Sequence, residues 1–463
     1  FFKQKTAYEI MPSLVGSEMC IRDRNSIIII RSYNKRRRKM KNYFLQLFNS
    51  MKKWIPQMFG GFFKWIILSL ITGTAVGFIS SAFHIGLEKC ADIRKEQPYI
   101  ILLLPVAGLL IVSIYKLLKL THDKGTNMVL IAVRDGSGMT WKNTLSIFTG
   151  SILTHLTGGS AGREGAALQI GGSVGSQLGI WFKLNEQDHR LITMCGMSAG
   201  FSALFGTPAA AAFFSMEVIS VGIMHYSAII PCSAAALIGF KISSYFGVSP
   251  SVMNVKIDSL NWEIYLKASF IAILCGLLSI VFCFVLKNSA RIYRYFIRNP
   301  YLRIFIGGLL VVVLTFICGT YDYNGAGSEV IAQAFETRAP FQQFILKLLF
   351  TALTLGAGFK GGEILPVFFV GSTFGSFIAP LLGLDCSLGA AIGLSCLFCG
   401  VTNCPVTALF LCIELFGVKT LPICLITCAI AYMFSGYAGL YSEQKILYSK
   451  LEPKFIDKKV GKK

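Results

Sequence analysis

Several apolar stretches of this chain are too short to cross a membrane and are cut by clusters of glycine. The clusters stand at Gly158–Gly159, Gly171–Gly172, Gly196–Gly206 and Gly356–Gly362. A backbone that leaves its helix inside a bilayer cannot face lipid, because its free N–H and C=O groups would have no partner there. The broken segments are therefore expected to face protein or a water-filled cavity. Pairs of such segments indicate the binding site of a transporter.

Other apolar segments are long enough to span a bilayer, which takes about 20 residues. They run over Trp65–Leu87, Tyr99–Leu118, Trp262–Leu286 and Ile304–Cys318. Hydrophobic residues make up 54% of the chain and charged residues 14%, whereas soluble domains carry about 25% charged residues. This composition argues against a soluble enzyme. We predict an all-α polytopic membrane protein that is surrounded by the lipid bilayer.

An internal repeat divides the chain into two related halves. Three segments recur in the same order, the first two at an offset of 200 residues and the third at 197. In the second pair, GREGAALQIGGSVGS against GEILPVFFVGSTFGS, three glycines and the final serine coincide. We predict one transmembrane domain, 50–449, with halves at about 50–247 and 258–449. The repeated pairs are Gly125–Ala132 with Gly325–Ala332, Gly162–Ser176 with Gly362–Ser376, and Thr207–Glu217 with Cys404–Glu414.

The net charge of +21 is concentrated mainly at the two ends of the chain, so no nucleic-acid partner is expected. Lys and Arg stay on the cytoplasmic side of membranes. We therefore predict basic cytoplasmic segments at 25–49 and 450–463, and an even number of crossings of a bacterial inner (cell) membrane. Residues 1–24 match neither a signal peptide nor an amphipathic helix. They resemble translated sequencing adaptor, and we expect this segment to be non-native or disordered.

The first glycine-rich break, GGSAGREGAALQ, places Glu164 at the start of a helix inside the membrane. The N-terminus of a helix carries a partial positive charge and unpaired N–H donors, and it therefore binds anions. A carboxylate at this position imitates a bound anion, and protonation would release it. Ionisable residues at membrane depth indicate function. The alternative is that Glu164 only caps its helix or pairs with Arg163.

Three further positions offer polar groups at predicted breaks. In GAGFKGGEILP, Glu363 precedes a second helix whose first turn suits Pro366; the alternative is an ordinary N-terminal acid. Thr126 and Asn127 offer hydroxyl and amide donors after Gly125; the alternative is an ordinary turn, which would have the same residues. Tyr441 follows the last apolar segment and either points toward the centre or belongs to the aromatic belt at the membrane surface.

In this order, these elements resemble the CLC family of chloride channels and proton-coupled anion antiporters over nearly all of residues 50–449. GREGA at Gly162–Ala166 is similar to the family's GREGP signature. GGEILP at Gly361–Pro366 stands at its GxFxP element, GTNMV at Gly125–Val129 stands at its GSGIP element, and Tyr441 falls at its central tyrosine. The resemblance implies a homodimer, with one pathway per subunit and with antiparallel halves.

The resemblance also implies roles for individual residues. Glu164 takes the place of the glutamate that gates the pathway. The ions to be bound are small anions, fluoride or chloride, with protons as coupled partners. The residues expected to bind the anion are Thr126, Asn127, Gly162, Arg163, Gly165, Gly362, Glu363, Ile364, Leu365 and Tyr441.

Departures from the chloride-transporting pattern point to one branch of the family. KGGE, with its acid at Glu363, resembles the fluoride-exporting branch, although Leu365 stands where that branch is expected to have threonine. Thr126 replaces the usual serine conservatively, and chloride therefore stays an alternative as the transported ion. Val218 stands where chloride antiporters have an inner proton-transfer glutamate. We predict proton-coupled fluoride export gated by Glu164; the alternative is a chloride channel or a chloride/proton antiporter.

Two other classes of protein are remote alternatives, an intramembrane enzyme and a non-transporting membrane scaffold. The sequence has no HExxH motif and no evident nucleophile–base pair, as an intramembrane enzyme would need. Most of the fourteen cysteines lie in apolar runs, where Cys acts as a small hydrophobe. We expect no metal and no cofactor.

Overall fold

The computed structural model describes residues 7–120, 124–136, 138–248, 252–257 and 261–461. The contacts of the chain divide it into two units, Phe1–Trp65 and Ile66–Lys463. The first unit contains the N-terminal part of the first helix, which begins within the segment 1–24. All the elements that form the candidate site lie in the second unit.

The described residues are mainly α-helical, with short 3-10 segments and one small sheet. The α-helices are α1 (Ala7–Glu96), α2 (Leu104–Leu117), α3 (Thr126–Asp135), α4 (Trp141–Leu156), α5 (Glu164–Trp181), α6 (Glu186–Phe205), α7 (Pro208–Glu217), α8 (Ile229–Tyr245), α9 (Trp262–Phe296), α10 (Pro300–Cys318), α11 (Ser328–Glu336), α12 (Gln342–Ala357), α13 (Ile364–Ile378), α14 (Cys386–Thr402), α15 (Pro405–Phe416) and α16 (Leu421–Phe434). The 3-10 segments are Pro98–Leu103, Tyr226–Ala228, Ala379–Leu382 and Val418–Thr420. The strands are β1 (Ser220–Val221), β2 (Lys445–Tyr448) and β3 (Phe455–Lys459).

Within the described ranges, six helical stretches are long and apolar enough to cross a membrane. They include Pro98–Leu117, Trp262–Phe296 and Pro300–Cys318, which cover three of the predicted spans. Between them lie shorter helices such as α12 and α15, which do not reach across by themselves. The prediction of a polytopic helical protein with interrupted helices is confirmed.

The two halves meet through the equivalent glycines of the repeat. Gly162 and Gly362 form an isolated antiparallel bridge. The Gly162 N–H donates to the Gly362 carbonyl at 2.7 Å, and the Gly362 N–H donates to the Gly162 carbonyl at 2.6 Å. When each of two equivalent residues makes the same bond to the other, the segments that carry them are related by a two-fold rotation. The bridge lies just before α5 and α13, so both helices start next to this local axis.

A second pair of reciprocal contacts joins α7 and α15. The Glu217 carboxylate accepts bonds of 3.1 and 2.9 Å from backbone N–H groups in the first turn of α15. The Glu414 carboxylate accepts bonds of 2.8 and 2.9 Å from the first turn of α7. Between the caps, Phe213 and Phe410 stack with centroids 4.2 Å apart and rings 7° from parallel. Each acid satisfies donors that a helix cannot satisfy by itself.

Replacing Glu217 with alanine is expected to lower the thermal midpoint of the detergent-solubilised protein. The substitution leaves the capped N–H groups and the Thr407 hydroxyl without their acceptor, and an unsatisfied buried polar group costs about 1–3 kcal/mol. Glu414→Ala should act similarly at the other cap. Glu452→Ala, at an exposed position, is the matched control. If Glu217→Ala melts like this control, the cap does not stabilise the fold.

The chain beyond α16 returns to the end of α7 and forms a sheet in the order β1-β2-β3. Strand β2 pairs in parallel with β1 and antiparallel with β3. Gln444, just before β2, donates to the carbonyls of Val218 at 2.8 Å and Thr402 at 2.9 Å. Residues 450–461 of the predicted basic tail thus include a strand, whereas Lys462 and Lys463 lie outside the described residues.

Candidate functional site

The N-termini of α5 and α13 meet around the carboxylate of Glu164. Glu164 is the first residue of α5 and is fully buried. Its Oε2 accepts a 3.0 Å bond from the Arg163 N–H and a 3.2 Å bond from the Leu365 N–H. Leu365 lies in the first turn of α13, in the other half of the protein. The carboxylate therefore occupies the kind of position at a helix N-terminus that binds anions.

Four polar atoms around this point are buried and have no hydrogen-bond partner among the described residues. Glu164 Oε1 and Arg163 Nε are two of them, and they lie 3.6 Å apart. Glu363 Oε2 and the Tyr441 hydroxyl are the others. Buried polar groups normally have partners, and an unpaired one calls for a physical reason. Such a group of unpaired acceptors and donors suits a site through which anions and protons pass.

Thr126 and Glu363 approach each other across Gly165. A methyl group on Gly165 would lie 3.2 Å from Thr126 Oγ1 and 3.4 Å from Glu363 Oε2, and only 2.8 Å from the Cα atom of Gly362. No side chain larger than hydrogen fits here without displacing one of these groups. The close approach brings the N-terminal ends of α3, α5 and α13 together.

Gln169 is a neighbour of this site that the sequence analysis missed. It lies one turn after Gly165 on α5, and its amide Nε2 donates to Thr126 Oγ1 at 3.4 Å and to the Gly165 carbonyl at 3.2 Å. It therefore orients the threonine hydroxyl. The spacing of four residues from Gly165 places Gln169 on the same helix face, and this was the available signal.

Tyr441 lies in the interior and not in a membrane-surface belt. Its exposed fraction is 1%. The carboxyl groups of Glu363 and Glu164 are close enough to interact electrostatically with its phenol. The aromatic-belt alternative is thereby excluded. Ile364 is also buried, as the first residue of α13.

Asn127 does not join the other predicted residues. Its Oδ1 accepts a 3.0 Å bond from the Glu443 N–H, and its Nδ2 donates to the Lys124 carbonyl at 3.5 Å. Its side chain thus ties α3 to the segment after Tyr441. Thr126 and Tyr441 come from different halves, and this link between their neighbours in sequence fixes them relative to each other.

Glu443, which the sequence analysis also missed, is held by cations from three parts of the chain. Its carboxylate accepts bonds from Lys459 at 2.7 Å and Lys124 at 3.2 Å. Arg134 donates to the Glu443 carbonyl at 2.8 Å. The position of Glu443 two residues after Tyr441, with Lys445 two residues further on, was the only sequence signal.

The hydrogen bonds from Lys459 and Lys124 lower the pKa of Glu443 to about 2. Because this pKa lies below its ordinary value, the ionised Glu443 stabilises the fold above pH 4.5, and this contribution is lost as the pH falls toward 2. Glu443→Gln is therefore expected to melt below the wild type at pH 7, with the difference shrinking at about pH 3. Glu452→Gln is the control. An equal difference at both pH values would contradict a stabilising role of the ion pairs.

Comparison with known proteins gives a consistent assignment. The family model for the voltage gated chloride channel matches residues 107–436. The "Chloride/fluoride channel protein" of Pseudomonas syringae pv. tomato is 33% identical over 393 residues, which are 83% of this chain and 86% of that protein. The voltage-gated ClC-type chloride channel ClcB of Escherichia coli is 26% identical over 306 residues, 62% of this chain and 71% of that one.

Solved structures show the same fold. The crystal structure of a CLC-type fluoride/proton antiporter superposes with a TM-score of 0.79 at 32% identity, covering 82% of this chain and 97% of that one. A slow cyanobacterial Cl⁻/H⁺ antiporter, at 19% identity, matches with a TM-score of 0.70 over 80% of this chain and 94% of its own. This protein belongs to the voltage-gated chloride channel (CLC) family and is a membrane-embedded transporter of anions.

Proposed function

We propose that this protein exports fluoride in exchange for protons and that Glu164 is its gate. The observation that carries this proposal is the position of the Glu164 carboxylate, which accepts backbone N–H bonds at the start of α5 and of α13. A fluoride ion is a small, strong acceptor and can take the same N–H groups. The carboxylate and the anion then compete for one position.

Proton coupling follows from this competition. An ionised Glu164 occupies the anion position, whereas a protonated one no longer matches its N–H donors and leaves. An anion from the inner side then binds at Arg163 and Leu365. Each exchange carries a proton on Glu164 and an anion past it. Thr126 and Tyr441 form the inner constriction, where their hydroxyl groups donate to the passing ion.

The inner proton route of chloride antiporters has no counterpart at the expected position. Val218 is buried and cannot carry a proton, and the adjacent Glu217 is engaged in capping α15. Glu363 has a buried Oε2 without a partner in the described part of the chain. We propose Glu363 as the second protonatable group of the pathway.

Fluoride is favoured over chloride by the KGGE element and by the names of two relatives. One relative above 30% identity is called a chloride/fluoride channel and another a fluoride/proton antiporter. Leu365, in place of the expected threonine, and the hydroxyl of Thr126 support chloride transport as the second candidate. Both candidates use the same Glu164 position; they differ in the transported ion and, for a chloride channel, in the lack of proton exchange.

The test is efflux from proteoliposomes, recorded with a fluoride electrode and, in parallel, a chloride electrode. Fluoride efflux that far exceeds chloride efflux and carries protons inward would support the proposal. Chloride efflux equal to or faster than fluoride efflux would assign the protein to the second candidate. No flux of either ion would contradict both candidates and indicate a scaffold.

We further propose a homodimer in the bacterial inner membrane with both termini in the cytoplasm. The basic run at Arg31–Lys41 supports the position of the N-terminus, because lysine and arginine stay on the cytoplasmic side. With this orientation the C-terminal end of α1, near Glu96, faces outward. Labelling of single cysteines placed near each terminus with a membrane-impermeant reagent tests the orientation.

A further inference from the structure

A row of four side chains leads from the exposed surface near the end of α1 to the gate. Glu88 is 63% exposed, and its Oε1 lies 3.0 Å from His84 Nε2. His84 Nδ1 lies 2.9 Å from Arg163 Nη1, and Arg163 Nε lies 3.6 Å from Glu164 Oε1. The row thus begins at an exposed carboxylate and ends at Glu164, which is fully buried.

The contacts of His84 define its protonation state. Arginine only donates hydrogen bonds, so His84 Nδ1 is the acceptor of the Arg163 bond. The ring proton then sits on Nε2 and points to the Glu88 carboxylate. A doubly protonated imidazole has no acceptor left for Arg163. Protonation therefore breaks the bond to Arg163 and places two cations side by side.

Arg163 has a nearby alternative to His84. Arg163 Nε and Glu164 Oε1 are both buried and form an ion pair at 3.6 Å, but neither atom has a hydrogen bond within the described ranges. A small shift of the guanidinium would close this gap into a charge-assisted hydrogen bond, which is among the strong ones. The bond to His84 holds the guanidinium in its present place.

Among the described residues, Arg163 and Glu88 are the charged groups that act on His84 electrostatically. Arg163 also acts on a further titratable group, the buried His155 of α4, whose Nδ1 lies 2.9 Å from the Ser151 carbonyl. Helices α4 and α5 face this part of α1 with apolar residues such as Ile147, Ala166 and Ile170, which pack on Phe83 and Leu87. The charge of a proton on His84 therefore acts first on Arg163, its hydrogen-bond partner, and through Arg163 on Glu164.

We propose that His84 is a positioning residue that keeps Arg163 from closing its 3.6 Å ion pair with Glu164 into a hydrogen bond. While His84 is neutral, Glu164 Oε1 receives no hydrogen bond from Arg163 and is free to take up a proton. When His84 gains a proton, Arg163 turns to the ionised Glu164 and opposes its protonation. This inference rests on the proposed function, in which Glu164 exchanges protons with the outside.

The test measures proton influx into proteoliposomes as a function of external pH under a fixed fluoride gradient. In His84→Ala the guanidinium loses its acceptor and closes its ion pair with Glu164 into a hydrogen bond. The pH midpoint of proton influx should fall by about 1 unit, the lower end of the effect of a cation on a carboxyl, so influx at neutral pH drops about tenfold. In His84→Asn, the Oδ1 atom replaces Nδ1 as an acceptor but cannot be protonated. This variant should match the wild type at neutral pH and exceed it at about pH 5.

Two comparisons separate this role from general damage. His225→Asn removes a histidine that has no contact with Arg163 among those described and should leave the profile unchanged. In a Glu164→Gln background, His84→Ala should not alter fluoride flux, because its effect passes through Glu164. The inference is overturned if the His84→Ala profile matches the wild type, or if its effect persists in that background. A wild-type protein that moves fluoride without protons overturns the proposed coupling itself, which is a different result.

Discussion

Glu164→Gln is expected to abolish coupled proton movement while anion flux continues. Glutamine is close to glutamate in size but carries no charge, so it competes poorly for the N–H groups of Arg163 and Leu365 that now hold Oε2. It also cannot bind and release a proton in this pH range. Proton influx driven by a fluoride gradient should fall to background, and fluoride should equilibrate passively. Parallel pH and fluoride electrode traces from one liposome preparation measure both effects.

Glu329→Gln is a suitable control, because its side chain is 69% exposed and pairs with Lys95 at the surface. This variant should retain the wild-type ratio of protons to fluoride. If proton influx survived in Glu164→Gln, Glu164 would not be the gate, and Glu363 would become the leading candidate. If both fluxes disappeared in a well-folded variant, Glu164 would be needed for anion passage itself.

Gly375→Ala is expected to prevent folding. Helices α13 and α14 lie so close that a methyl group on Gly375 would sit 1.9 Å from the carbonyl oxygen of Gly389. In the reverse direction, a methyl on Gly389 would sit 2.4 Å from the Gly375 carbonyl oxygen. Both obstacles are backbone atoms and cannot rotate away. The helices would have to separate, at a cost of about 3 kcal/mol or more, and the start of α13 would move with them.

The measurement is the fraction of monodisperse protein after extraction in mild detergent, which should fall to near zero for Gly375→Ala. Gly61→Ala is the matched control, since a methyl group there meets nothing within 4 Å and alanine favours helix over glycine. A monodisperse, active Gly375→Ala protein would show that the spacing between these helices is not fixed by their glycines.

Much of the fold and part of the site could be predicted from local sequence patterns. The glycine breaks, the offset of 200 residues and the apolar lengths predicted a broken-helix membrane protein with two related halves. The position of Glu164 at the start of a buried helix could be predicted, because it follows a glycine-rich break; its role as the gate rests on the rarity of ionisable residues at membrane depth. The position of Leu365 in the first turn of α13 followed from Pro366, which suits the start of a helix.

Other features of the site depend on contacts between residues far apart in the chain. Asn127 looked like an anion ligand, but its side chain binds the backbone of Glu443, over 300 positions away. Gln169 and His84 were not predicted as parts of the site. The signal for Gln169 was only its spacing of four residues from Gly165, and an isolated imidazole in an apolar run has no distinctive pattern. Tyr441 was ambiguous until its burial was known.

The sequence alone determined that the chain lies in a membrane, that it has two related halves and that helix N-termini with an acid stand at the breaks. These properties follow from apolar length, residue spacing and glycine, which act locally. Only the tertiary structure decided that Gly162 and Gly362 pair across the two halves, and that the Leu365 N–H reaches Glu164. The physical reason is that a bond between the halves depends on how whole helices pack, and no local pattern records that packing.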